Sequence, residues 1–67
     1  MTINEFFDIV DPNKPIVINS FNGDTGEIRT VVDTRQSGDI PFDVIMRPIT
    51  YITTEDDAIV IEYYSNT

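Results

Sequence analysis

Two short β-branched runs, Ile16-Val17-Ile18 and Ile59-Val60-Ile61, constrain this chain more than any other feature. Side chains alternate between the two faces of a strand, so a run that is apolar at every position asks for burial on both faces. Strands of that kind sit inside a sheet, and alternating strands take its edges. Each run has a neighbour to fold back on. Ile16–Phe21 leads through Asn22-Gly23-Asp24-Thr25-Gly26 into Glu27–Val32, and the two glycines are free to take positive φ in the turn. That hairpin puts Ile28, Thr30 and Val32 on one face and Phe21 in the core. Ile49–Ile52, a turn over Thr53–Asp57, and Ala58–Tyr64 make a second hairpin. With the doubly apolar strands central, the sheet order is 2-1-4-3.

The segments around the hairpins read as helix and loop. Thr2 and Glu5 have the spacing of a capping box, and Ile3, Phe6, Phe7 and Val10 follow at helical intervals. A helix over 3–10 is expected, ended by Asp11-Pro12-Asn13-Lys14-Pro15, since each proline disfavours helix in the residue before it. Two turns are not stable alone, so this helix docks on the sheet, with Phe6 and Phe7 beneath it. Residues 33–41 read as a polar loop. Ile40, Val44 and Ile45 then fit one helical turn, with Pro41 at its first position and Pro48 closing it. The expected class is α+β: a short N-terminal helix packed on a four-stranded, mostly antiparallel sheet of two hairpins, with a helical turn between them. It forms one domain over residues 1–67. So little helix covers one sheet face at most. The other is either shallow and wet or closed by another chain.

Residue types exclude most chemistry. The chain holds no cysteine and no histidine, which removes disulfides, thiolate metal sites and the commonest general base and metal ligand. Ser20, Ser37 and Ser65 have no histidine to deprotonate them, and Lys14 lies hydrated in a turn. Asp56 and Asp57 could pair as glycosidase carboxylates do, but they share a solvated turn with nothing to split their pKa values. Glu55-Asp56-Asp57, or Asn22, Asp24 and Glu27, could gather oxygens around a divalent cation. Neither set has the spacing of a calcium loop, so no metal site and no cofactor is expected. Gly23 and Gly26 belong to a β-turn and make no phosphate loop. The chain reads as non-enzymatic, with no catalytic residue.

Charge then narrows the partners. Twelve acidic residues against four basic ones (Lys14, Arg29, Arg35, Arg47) give a formal charge of −8 on 67 residues. Phosphate binding needs a cationic patch, so direct nucleic-acid binding and an anionic membrane surface are both disfavoured. No apolar run is long enough to span a bilayer, and Met1–Glu5 lacks the basic, apolar start of a secretion signal, so a cytoplasmic setting is expected. Such a surface attracts basic partners. The candidate contacts are the acidic residues Asp33, Asp39, Asp43, Glu55, Asp56, Asp57 and Glu62, spread over one face like the phosphates of a nucleic acid. Tyr51, Tyr63 and Tyr64 join them, because tyrosine offers large contact area with a polar tip. Tyr63 and Tyr64 point to opposite faces, so at least one ring is partly exposed.

The start Thr2–Val10, followed by Asp11-Pro12-Asn13 and the strand Ile16-Val17-Ile18, resembles a type of small acidic protein encoded by phages of Gram-positive bacteria. The resemblance covers most of the chain and carries no site motif. It implies a phage accessory role, and some proteins of that kind are anti-CRISPR inhibitors that block the basic nucleic-acid channel of a host effector. The expected function is an anti-CRISPR-like inhibitor that occludes a basic surface of a host nucleic-acid-binding protein, such as a CRISPR effector, by acidic mimicry. The alternative is an assembly module or accessory subunit that homodimerises through its open sheet face.

Overall fold

In the computed structural model, residues 1–11, 13–36 and 39–65 are described; Pro12, Ser37 and Gly38, assigned above to a turn, a serine inventory and a loop, lie outside them. The elements run α1 (Ile3–Phe7), β1 (Ile16–Phe21), β2 (Ile28–Asp33), α2 (Phe42–Ile45), β3 (Tyr51–Glu55) and β4 (Ala58–Tyr64). They form one four-stranded sheet in the order β2-β1-β4-β3. Both hairpins are antiparallel, and the central β1–β4 pair is parallel, with Ile16, Val17 and Ile18 level with Ile59, Val60 and Ile61. The two doubly apolar runs therefore bury each other side by side, and Ile18 and Ile61 are wholly shielded from water. Each side chain buried to that degree contributes about 1.5–3 kcal/mol of transfer free energy.

One face carries the main core. Ile16 and Ile18, Ile61 and Tyr63, and Val32 pack against Ile3 of α1 and Val44 of α2, with Phe6, Phe7, Val10, Ile40, Ile45, Ile49 and Ile59 closing the sides. α1 starts on the capping box read from sequence: Thr2 Oγ1 accepts from the Glu5 N–H at 3.2 Å, and Glu5 Oε1 accepts from the Thr2 N–H at 2.9 Å. Its entry is also tied to the segment before β3, because Ile3 N–H donates to Arg47 O and Ile49 N–H to Met1 O. Regular helix ends at Phe7, well short of residue 10. The N–H groups of Asp8 and Ile9 donate three residues back, to Glu5 O and Phe6 O, so the last turn tightens ahead of the prolines. In α2, Pro41 is the cap residue and lies outside the first helical position.

Three strand readings need correction. The register of β2 slips between Ile18 and Asn19, which leaves Val31 as an extra residue. A bulge of this kind shifts the alternation by one position. Ile28 and Thr30 consequently share the face away from the helices, and Val32 alone of the three enters the core. β2 also continues through Asp33, so the loop begins one residue later than residue 33. In the second hairpin β3 starts at Tyr51 and runs through Thr53, Thr54 and Glu55, and the turn shrinks to Asp56-Asp57. Both aspartates have positive φ, 51° and 65°, the backbone that a two-residue hairpin needs to match the twist of its strands.

Candidate functional site

Among the described residues, the face of the sheet turned away from α1 and α2 has no helical cover, and cross-strand register arranges its side chains in rows. Ile28, Phe21 and Tyr64 form one row across β2, β1 and β4; Thr30, Asn19, Glu62 and Tyr51 form the next, reaching β3. The Thr30 hydroxyl donates to Asn19 Oδ1 at 3.0 Å, which fixes the second row on the β2 side. Further along, Val17 and Val60, then Ala58, make a small apolar floor that is itself shielded from water. Asn19, Thr30, Arg35, Glu55 and Asp56 rim this floor and leave a shallow cleft of about 200 Å³.

Phe21, expected in the main core, lies on this open face instead. Its ring meets Tyr64 at 5.7 Å between centroids and 52° between planes, a tilted aromatic contact that steadies Tyr64 while leaving it 43% exposed. Tyr51 is 56% exposed and directly opposite Glu62. The Glu62 carboxylate thus stands between two accessible tyrosines, one across the strand pair and one two residues along its own strand. Tyr63 has the opposite fate. It is buried in the helix-side core beneath the Arg47 guanidinium, which lies 5.9 Å from the ring centroid. Burial pushes its phenol pKa upward, with Arg47 opposing that rise and Asp43 adding to it. Tyr63 is therefore a core residue and is withdrawn from the contact surface.

The carboxylates do not share one face. Glu62 and Glu55 lie on the open face, and Asp56 and Asp57 form the turn at its end, in a cleft shared with Lys14. Asp33 is committed within the chain. Arg35 donates to both of its oxygens, Nε to Oδ1 at 2.9 Å and Nη2 to Oδ2 at 2.8 Å, and these bonds hold the Asp33 carboxyl below its usual pKa. Asp39 lies outside β2 with Gln36 and Pro41. Asp43 sits on α2, on the helix side, close enough to influence Tyr63. The expected single acidic face fails because Asp43 stands on α2 on the helix side, Asp39 lies with Gln36 and Pro41 beside β2, and Asp33 is bound to Arg35. The coherent patch is Tyr51, Tyr64, Glu62 and Glu55, continued by Asp56 and Asp57; Ile28 at its far edge went unnoticed because the bulge that exposes it leaves no local sequence signal.

Among the described residues, no group of three or more histidine, cysteine, aspartate or glutamate side chains is placed to hold a metal ion, and no helix is long and apolar enough to cross a membrane. No family model matches the chain, and neither a curated protein nor a solved structure does.

Proposed function

We propose that this chain is a non-enzymatic binding protein that docks its open sheet face on a basic surface of a larger protein and occludes it. The observation that carries this reading is Glu62 standing between exposed Tyr51 and Tyr64 on a face with no helical cover, on a body of net charge −8. Tyrosines supply buried contact area at modest entropic cost, and carboxylates beside them select cationic partners and speed encounter. The resemblance to small acidic phage proteins directs the proposal to a bacterial cytoplasm and to an anti-CRISPR-like inhibitor, with a nucleic-acid-binding host enzyme as the partner. Mimicry is then the work of four carboxylates, Glu55, Asp56, Asp57 and Glu62, and not of the whole surface.

The experiment is affinity capture from a bacterial lysate with three immobilised baits: the native chain, a Tyr51→Ala/Glu62→Lys variant, and an Asp43→Asn variant altered on the opposite face. The native and Asp43→Asn baits are expected to retain the same basic protein and to release it as salt rises, because screening weakens charge contacts beyond a Debye length of about 8–10 Å. The open-face variant is expected to lose it. Equal retention by all three baits, or retention indifferent to salt, refutes the assignment.

A further inference from the structure

The sheet ends in two edges of different character. Outside β2 lie Gln36, Asp39 and Pro41 of the connection, beside Thr30–Asp33, and the strand itself is bulged at Val31. Bulges and covering segments are the usual ways of keeping an edge from pairing with another chain. β3, the other edge, pairs with β4 in unbroken register and is mostly exposed. It is a regular run of five residues, Tyr51-Ile52-Thr53-Thr54-Glu55, without lysine, proline or bulge, and four of the five are exposed. Ile52, level with core residue Ile61, keeps 44% of its surface exposed on the helix side of this edge.

We infer that β3 pairs antiparallel with β3 of a second copy of this chain, joining two sheets into one of eight strands. The occupant follows from the sequence of the edge read against itself. A two-fold axis through Thr53 sets Tyr51 opposite Glu55 of the other copy, Ile52 opposite Thr54, and Thr53 opposite its own twin. Every pair then joins side chains of the same sheet face, as an antiparallel ladder requires. No like charges meet directly. Glu55 faces a tyrosine whose hydroxyl can donate to it, threonine meets threonine, and Ile52 is covered by the Thr54 methyl group, all favourable cross-strand combinations. A shift of two residues either way shortens the ladder and leaves Tyr51 or Glu55 without its partner. The contact is isologous, so it closes at two copies and does not propagate into a fibre.

The chain contains no cysteine, which makes cross-linking a clean test. In the full chain, Thr53→Cys places two thiols face to face across the axis, with Cβ atoms roughly 4.5–5.5 Å apart. Thr25→Cys, in the β1–β2 turn, serves as the random-encounter control. With a short bifunctional thiol reagent, Thr53→Cys is expected to form covalent dimer about tenfold or more faster than Thr25→Cys, since pairing raises the local thiol concentration toward millimolar. Adding Ile52→Lys, a surface change checked by circular dichroism, should return the rate to the control value. Sedimentation should show native mass rising with concentration toward twice 7.6 kDa, more readily at high salt, because the two copies repel. Equal cross-linking of Thr53→Cys and Thr25→Cys overturns the inference, and so does a dimer that survives Ile52→Lys.

Discussion

The β3–β4 turn offers a direct measurement of how much backbone strain this small domain carries. Asp57 sits at φ 65° and Gly26, in the other hairpin, at φ 76°. An L-residue in the left-handed region costs roughly 1–2 kcal/mol, somewhat less for aspartate, whose short side chain tolerates it. Replacing Asp57 by glycine removes that cost and adds about 0.4–1 kcal/mol of unfolded-state entropy to be lost on folding. The balance is a net stabilisation of about 0.5 kcal/mol. Asp57→Asn separates charge from conformation, since asparagine removes the same negative charge but keeps a β-carbon at positive φ. Gly26→Ala runs the comparison backwards: nothing lies within 4 Å of the β-carbon it would add, so a loss of about 0.5–1 kcal/mol there is conformational and not a clash.

Urea unfolding followed by circular dichroism is sufficient for the assay. For a domain of this size the denaturant slope is about 1 kcal/mol per molar urea, so these changes move the midpoint by about 0.5–1 M. The expected order of midpoints is Asp57→Gly above Asp57→Asn, Asp57→Asn at or above native, and Gly26→Ala below native. Asp57→Gly falling below Asp57→Asn, or Gly26→Ala matching the native chain, would refute the argument that positive φ is the governing cost in these turns.

Three other outcomes follow from the packing. Ile61→Ala empties the centre of the core and should cost about 2–5 kcal/mol, enough to unfold a domain this small, whereas Ile61→Val should cost about 0.5–1.5 kcal/mol and remain folded by thermal melting. Thr2→Ala removes the helix cap and should cost about 1 kcal/mol in the same melt, with Thr2→Ser close to native. The phenol of Tyr63 has a folded pKa raised above its unfolded value of 10.0 by burial, so its stabilising effect is complete below pH 10 and is lost as pH climbs through the folded value. Tyr63→Phe should flatten the alkaline limb of a stability–pH curve and leave the neutral region nearly unchanged.

What sequence conveyed and what it hid divide along a physical line. The strand order follows from local pattern, since each hairpin pairs one doubly apolar run with an alternating strand, and Ile16-Val17-Ile18 and Ile59-Val60-Ile61 bury both faces only in the middle. The capping box was equally legible because its two bonds link residues three apart. Features that depend on register were not. The slip at Val31 reverses the facing of half of β2, and only pairing with β1 reveals it. Thr53, Thr54 and Glu55 are polar enough to read as turn, yet they extend β3 because Asp56 and Asp57 accept positive φ and let the chain reverse in two residues. For the site, strand parity is enough to expect one exposed ring at the end of β4, and Tyr64 is that ring, at 43% exposure. Tyr63 was misplaced because strand parity cannot say which face the helices cover.

The edge and the face make opposite demands on charge, and this links the two proposals. Two copies joined at β3 would set their open faces side by side, with Tyr51 of one beside Glu55 of the other, so the tyrosine–carboxylate patch would double in extent without any new residue. The same joining brings together two bodies of charge −8, a repulsion that salt relieves. A basic partner neutralises that charge and should therefore favour the joined form, which makes partner binding and self-association mutually reinforcing by linkage. Rising salt strengthens the homotypic contact and weakens the heterotypic one. The sign of the salt dependence in each assay thus identifies which surface is being read, and Ile52→Lys separates them structurally, since it disturbs the edge while leaving Glu62 and its two tyrosines in place.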